Sequence, residues 1–166
     1  MEEPSSSSRC YDPLFRKLTE RFRQEDGWEA RQEVPPEAYM HLSKPSWGDD
    51  KMDGIHLETY ILENQIECGF APVALHCERG CPFQKQFMQK MSEKAESILK
   101  EFPEDVRSNY KILGPGGCSV FEAKIPLDSS TAEGNVGKLA VELERLQGIS
   151  HLIDDVISEC QAELNT

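Results

Sequence analysis

The stretch His76-Cys77-Glu78-Arg79-Gly80-Cys81-Pro82 joins the two patterns that decide the fold. Residues 66–77 before it carry the apolar side chains of a strand. Residues 82–102 after it repeat apolar side chains every third or fourth position, which is typical of an amphipathic helix. The helix begins with a cysteine in its first turn. A helix N-terminus carries a partial positive charge that favours a thiolate, so this junction is also where the sequence hints at chemistry.

On both sides of the junction, the sequence shows further strand and helix patterns. Residues 54–62 alternate apolar and polar side chains as a half-buried strand does. Residues 110–125 contain two strand-like runs separated by Gly114-Pro115-Gly116-Gly117, which predicts a hairpin. Apolar residues recur at helical spacing after Asp12-Pro13 and again between Val136 and Cys160. Gly148 is expected to kink or split the second of these helices.

This order of elements predicts an α+β fold, because nothing alternates strictly as in a doubly wound nucleotide-binding fold. We expect one antiparallel sheet of about five strands packed against two or three helices, in the order α-β-β-β-α-β-β-α. A short strand is expected at Ala38–Leu42, and a bulge or sheet edge at Pro72, because proline cannot donate to a sheet ladder. Residues 1–10, with Pro4 and four serines, predict a disordered tail, and residues 11–166 a single domain.

The predicted element order resembles the αβββαββα arrangement of the type III secretion chaperones, which are small acidic proteins. The resemblance concerns element order alone, since the sequence carries no motif of that family. It implies a similar α+β fold and carries no functional residues over to this chain.

The chain is acidic, with 30 acidic and 18 basic residues among 166 and a net charge of −12. Such a surface repels phosphate backbones and anionic lipid headgroups, so we expect neither nucleic acid nor membrane as a partner. The N-terminus lacks the basic start and apolar stretch of a secretory signal, which predicts a cytoplasmic location. The six cysteines are expected to be mostly buried, reduced thiols, and no cofactor is indicated.

The first candidate for chemistry is the thiol pair Cys77 and Cys81. Thioredoxin-type oxidoreductases resemble it in placing two cysteines at a strand-to-helix turn, but their spacing is Cys-x-x-Cys and here it is Cys-x-x-x-Cys. A zinc site from Cys68, His76, Cys77 and Cys81 is the variant of this idea. Adjacent residues of a strand face opposite sides of the sheet, so His76 and Cys77 bind one ion only if the strand has already ended.

The second candidate is Glu122-Ala123-Lys124 on a predicted strand, preceded by Pro103-Glu104-Asp105. It resembles the PD-(D/E)xK nuclease signature, in which an acidic pair holds a divalent metal and the lysine helps to activate water. The alternative is simple strand alternation, with Glu122 and Lys124 on the polar face. The histidines form no constellation at ligand spacing. His56 is expected on the polar side of its strand beside Glu58, in a solvated or structural role.

Taken together, the sequence predicts a small binding or protein-interaction protein without a defined catalytic site. A basic peptide is the expected partner class, and the acidic C-terminal helix is a candidate seam for a homodimer. The alternatives are a thiol oxidoreductase using Cys81 and Cys77 and a metal nuclease using Glu122 and Lys124. The sequence leaves the strand order and the identity of any ligand open.

Overall fold

Six strands form one antiparallel sheet in the computed structural model, which describes residues 8–33, 38–48, 52–61, 69–127 and 132–166. The strands are β1 (Glu29–Glu33), β2 (Ala38–Ser43), β3 (Ile55–Ile61), β4 (Phe70–Cys77), β5 (Tyr110–Ile112) and β6 (Ser119–Pro126). Their order across the sheet is β1-β2-β3-β4-β6-β5. Only β5 and β6 depart from chain order, because β6 pairs with β4 and leaves β5 at the edge.

Five α-helices accompany this sheet within the described residues. They are α1 (Ser8–Arg23), α2 (Gln84–Lys100), the short α3 (Glu104–Arg107), α4 (Ala132–Gln147) and α5 (Ser150–Leu164). Helix α2 buries Phe87, Met91, Ala95 and Ile98, the stripe that its periodicity predicts. It ends before Pro103, because proline cannot continue a helix.

Helices α1, α2 and α4 pack against one face of the sheet, and α5 packs on α2. Ile55, Leu57 and Ile61 of β3 are buried in one apolar cluster that also contains residues of α1, α2, α4 and α5. Helix α1 contacts β1 and β2, α4 contacts β3 and β4, and α2 contacts β4, β5 and β6. We call this the core face. The side chains between these positions point to the opposite side, the outer face.

The predicted α+β class with one antiparallel sheet is confirmed, with one strand and two helices more than expected. The extra strand is β1, whose sequence Glu-Ala-Arg-Gln-Glu carries little apolar signal and which pairs with β2 along its whole length. The short helix α3 follows α2, and the C-terminal helix is split at Gly148 into α4 and α5. Four strands therefore precede α2, whereas the chaperone-like order has three.

Two local predictions need correction. Helix α1 begins at Ser8 and not at Asp12, so the last three residues of the predicted tail 1–10 are helical, while residues 1–7 lie outside the described part. Pro72 marks neither a sheet edge nor a bulge, since β4 is a central strand and its register shift lies between Ala74 and His76. The β3–β4 register ends at Thr59–Val73, one residue short of the proline.

The apolar stripe of the C-terminal segment is buried within the protein's own core. Ile153, Val156, Ile157 and Cys160 of α5 are all buried, and α5 packs on α2. None of the helices in the described ranges is long and apolar enough to span a bilayer. The sequence also predicts a turn at residues 63–65 and a helix cap at Ser130, and both lie outside the described residues.

The junction between β4 and α2 is held by a short neighbouring loop. The Glu78 N–H donates to the Gly54 carbonyl over 2.9 Å, and the Cys81 N–H donates to the Glu78 carbonyl over 3.0 Å. Gly80 lies directly against the Met52 carbonyl, so that any Cβ at this position would collide with backbone. The junction therefore requires glycine at position 80 for close approach and not for an unusual φ.

We predict that Gly80→Ala lowers the free energy of unfolding by about 1–3 kcal/mol, because the added methyl forces backbone apart. Gly116→Ala is the matched control. A Cβ there meets no atom within 4 Å, so its effect should stay within about 0.5 kcal/mol. Urea unfolding of both variants measures the difference. Equal stabilities would contradict the packing described for the junction.

Candidate functional site

A cluster of histidine and glutamate side chains lies on the outer face at the centre of the sheet. It is built from His41 on β2, His56 and Glu58 on β3, and His76 on β4. The antiparallel register places His41 opposite Glu58 and His56 opposite His76. Because all four residues belong to the outward phase of neighbouring strands, the pleat brings their side chains together. Glu78, just after β4, completes the group, which we call the His/Glu cluster.

Glu58 is the centre of this cluster. Its Oε2 lies 3.1 Å from His56 Nε2 and 3.4 Å from His41 Nε2, and its Oε1 lies 3.4 Å from His76 Nδ1. Glu78 approaches from the other side, with Oε1 3.6 Å from His76 Nε2 and 3.9 Å from His56 Nε2. One carboxylate thus contacts three imidazoles from three strands, and a second carboxylate contacts two of them.

The rings of the cluster form a stack across the sheet. The centroids of Tyr39 and His41 are 4.7 Å apart, those of His41 and His56 3.8 Å, and those of His56 and His76 5.0 Å. His56 sits in the middle of the stack and has no solvent-exposed surface. Its Nδ1 has no hydrogen-bond partner among the described residues. A buried ring nitrogen in this state is the kind of group that an ion or a water molecule satisfies.

Burial sets the protonation state of His56, whereas hydrogen bonds set that of Glu58. Burial lowers the pKa of His56 to about 4, and the hydrogen bond with Glu58 opposes this only in part. Burial would raise the pKa of Glu58, but the hydrogen bonds from His41 and His56, with the charge of His76, bring it well below its usual range. At neutral pH, His56 is therefore a neutral imidazole and Glu58 a carboxylate. Both are in the form that binds a metal ion.

Two overlapping sets of three donor groups lie within reach of one ion. Donor atoms of His41, His56 and Glu58 all lie within 4.8 Å of one another, and so do those of His56, His76 and Glu78. A cavity of about 380 Å³ adjoins them, lined by Tyr39, His41, Glu58, Tyr60, His76, Glu78 and Ser119. The cluster is thus accessible from the outer face. Ser119 and Tyr60 add hydroxyl groups to its rim.

The thiols singled out from the sequence lie on the other side of the sheet. Cys77 is buried on the core face at the end of β4, and Cys81 is buried in the turn before α2 with 6% exposure. The sequence predicts Cys81 as the exposed thiol of the pair, at the N-terminus of the helix, and this prediction is wrong because the junction folds back on the core. His76 points to the outer face, so the predicted zinc set does not converge through His76 and Cys77, and Cys68 lies outside the described residues.

The candidate nuclease residues are separated in the same way. Glu122 and Lys124 lie on the outer face of β6, as strand alternation predicts. Glu122 accepts a hydrogen bond from the Tyr60 hydroxyl over 3.2 Å, and the Lys124 ammonium lies 5.0 Å from the Phe70 ring centroid. Glu104 and Asp105 are on the short helix α3 and not on a strand beside Glu122. The acidic pair of the nuclease arrangement is therefore not assembled from these residues.

The cluster itself was missed from the sequence. His56 and Glu58 were placed correctly on the polar side of their strand, but His41 and His76 were not connected to them. His41 and His56 occupy the polar phase of their strands, which is the available signal, whereas His76 lies on a strand that is otherwise apolar in both phases. What the sequence did not supply is the register of β2 and β4 against β3, and the register decides which polar side chains meet.

Comparison with protein-family models, with curated proteins and with solved structures finds no match for this chain.

We predict that the buried His56 makes folding stability depend on pH below neutrality. The unfolded chain takes up a proton on this residue near its ordinary pKa of 6.5, whereas the folded protein does so only near pH 4. Stability is thus full above pH 6.5 and is lost as the pH falls. Between pH 7 and 5 the loss from this group is about 2 kcal/mol. Glu58 adds to the loss only at lower pH, because its carboxylate is stabilised above its unfolded pKa.

Urea unfolding at pH 7 and pH 5 with a chelator present measures this loss. In His56→Gln, the loss of unfolding free energy between pH 7 and pH 5 should be smaller by about 2 kcal/mol, whatever the absolute stability of the variant. The titratable groups that face this position are His41, His76, Glu58 and Glu78, and all of them are kept in the variant. His151→Gln, on the exposed side of α5, should keep the wild-type slope. Identical slopes in all three proteins would show that His56 is not held neutral by burial.

Proposed function

We propose that this protein binds a divalent transition-metal ion on the outer face of its sheet, through His41, His56 and Glu58. The observation that carries the proposal is the convergence of these three donor groups within 4.8 Å of one another. Imidazole and carboxylate together suit zinc, iron(II), copper and nickel, and two histidines with one carboxylate occur in sites that keep a coordination position open. Zinc is the reference ion for the tests below.

The spacing of the donor atoms supports a tetrahedral ion. Zinc bonds to nitrogen and oxygen measure about 2.0–2.2 Å, which separates neighbouring donors by about 3.4 Å. Glu58 Oε2 lies 3.4 Å from His41 Nε2 and 3.1 Å from His56 Nε2. These groups already stand near the required edge lengths, so an ion bound at Nε2 of His56 needs only small side-chain movements, with the proton of the neutral ring held on Nδ1.

The charge of the His/Glu cluster and the protonation state of His56 also favour a metal cation. Two carboxylates, Glu58 and Glu78, belong to the His/Glu cluster, so a cation is attracted and an anion repelled. His56 is neutral before the ion arrives and gives up no proton on binding. Ligating histidines must be unprotonated, so the affinity for metal is expected to fall in acid.

The second set of donors, His56, His76 and Glu78, offers the ion an alternative position that shares one ligand with the first. His56 belongs to both sets, so its ring nitrogen serves one ion at a time. His76 and Glu78 are then either further ligands or partners that orient the first three. His76 Nδ1 also lies 3.1 Å from the Ser119 hydroxyl, which fixes its ring in place.

A binding function remains our proposal for the protein as a whole, with the metal ion as the ligand. A basic peptide partner and a second copy of the chain are still proposals, although α5 offers little apolar surface for a seam because its stripe is buried. A cytoplasmic location is likewise proposed. The free thiols of Cys77, Cys81, Cys118 and Cys160 support a reducing compartment.

Titration with Co²⁺ followed by competition with Zn²⁺ tests the metal site. We expect one saturable site with visible d–d absorption and without the near-ultraviolet charge transfer that thiolate ligands produce. His56→Gln and Glu58→Gln should each weaken binding by more than about 100-fold, because loss of even an outer partner of a ligand costs about 10–100-fold.

Glu122→Gln is the matched control, since it removes a half-buried carboxylate from the same face without touching either donor set. Its affinity should stay within about threefold of wild type, because a substitution that removes no ligand usually changes the free energy by no more than about 0.5 kcal/mol. Absence of saturable binding, or binding that survives both His56→Gln and Glu58→Gln, would refute the proposal. A strong thiolate charge-transfer band would assign the ion to the cysteines instead.

A further inference from the structure

A cavity of about 400 Å³ lies between the start of α2, the junction that precedes this helix and the loop that joins β5 to β6. The junction contributes Arg79 to its lining, and α2 contributes Lys85. The rest of the described lining is uncharged and consists of Gln84, Gln89, Pro115, Gly116 and Gly117. In a chain with 30 acidic residues, a cavity whose described lining holds two cations and no carboxylate is unusual.

The two cations of this cavity have no counter-charge within the described part of the protein. Neither Arg79 nor Lys85 forms an ion pair with a described carboxylate, although several other basic side chains of the chain do. Glu78 precedes Arg79, but its carboxylate contacts His56 and His76 in the His/Glu cluster. Two like charges that line one cavity repel each other, so an anion bound between them is attracted by both and relieves their repulsion.

The glycine loop adds backbone donors to the same cavity. The N–H groups of Gly116 and Gly117 donate to no backbone carbonyl of the described residues. A Cβ at either position would meet no atom within 4 Å, so the space over this backbone is open to a ligand. The Gln84 side-chain amide donates to the Gly117 carbonyl over 3.0 Å and thereby ties the loop to α2.

We propose that this cavity binds a phosphate group, through the side chains of Arg79 and Lys85 and the backbone of Gly116 and Gly117. Cationic side chains and backbone N–H groups are the donors that phosphate oxygens accept in proteins. The described lining contains no aromatic ring on which a nucleotide base could stack. The ligand is therefore either free phosphate or the phosphate ester of a small polar molecule.

The negative charge of the whole chain does not prevent this binding. Exposed charges are largely screened beyond about 10 Å at 0.1 M salt, so the groups that line the cavity decide the local attraction. The site goes beyond the proposed metal function, because it requires no metal ion and uses none of the metal donors of the outer face.

Isothermal titration calorimetry with glycerol 3-phosphate, inorganic phosphate and glycerol tests the proposal. A chelator is present throughout, so that no metal ion at the His/Glu cluster can hold the phosphate. We expect saturable binding of both phosphate compounds at or below millimolar concentration, and no binding of glycerol. Tighter binding of the ester would assign the natural ligand to phosphate esters, and equal binding would assign it to the phosphate group alone.

Two variants of the full chain test the named cations. Arg79→Gln and Lys85→Gln should each weaken phosphate binding by at least about 10-fold, because each removes a charge-assisted hydrogen bond. Lys94→Gln is the matched control, since it removes an exposed positive charge from the same helix outside the cavity lining. Its affinity should stay within about threefold of wild type. Circular dichroism of each variant confirms that the fold is kept.

Absence of saturable binding of either phosphate compound at millimolar concentration would overturn the proposal. An equal loss of affinity in Lys94→Gln and Lys85→Gln would also overturn it, because the overall charge and not the cavity would then attract the anion. Since the chelator excludes metal ions from this experiment, a negative result leaves the metal titration untouched. A negative metal titration equally leaves the phosphate titration intact.

Discussion

A single carboxylate, Glu58, holds the outer face of the sheet together. It lies on the third of six strands and contacts imidazoles from β2, β3 and β4. An ionised group with so little exposure requires partners, because an unpaired buried charge is strongly unfavourable. The three histidines supply those partners. The register in which these three strands pair is therefore also what brings the side chains of the cluster together.

The arrangement follows from the way the helices are distributed. The described helices bury the core-facing side chains of the sheet, so the alternate side chains of its central strands must find partners among themselves. Toward β6, Tyr60 and Glu122 pair with each other by a hydrogen bond. At the centre of the sheet, the histidines pair with Glu58 and Glu78, and His56 Nδ1 is left without a partner in the described part of the chain. That residual unsatisfied group distinguishes the centre from an ordinary polar face.

Much of the fold could be predicted from periodicity, because α2 and β3 each repeat their apolar residues at the spacing of their own geometry. Strand β1 could not, since its polar sequence becomes a strand only by pairing with β2. The split at Gly148 was visible as a helix-breaking residue within an otherwise continuous stripe. Element identity is thus largely local, whereas the presence of an edge strand depends on its neighbour.

The candidate site depends on tertiary structure even more than the edge strand β1 does. Cys77 and Cys81 have the conspicuous spacing in the sequence, but their thiols lie on the core side of the sheet. His41, His56 and His76 are separated by 15 and 20 residues and form no sequence motif. They meet only because three strands pair in one register, and a shift of one residue would send each histidine to the core. The same alternation correctly argued against joining His76 and Cys77 in one zinc site.

The most direct test of a metal ion on the outer face is a crystal structure of the zinc-soaked protein with anomalous scattering recorded on both sides of the zinc absorption edge. Our account predicts one strong anomalous peak within about 2.2 Å of donor atoms of His41, His56 and Glu58. A peak at the thiols of Cys77 and Cys81 with none at Glu58, or an empty cluster at saturating zinc, would contradict it.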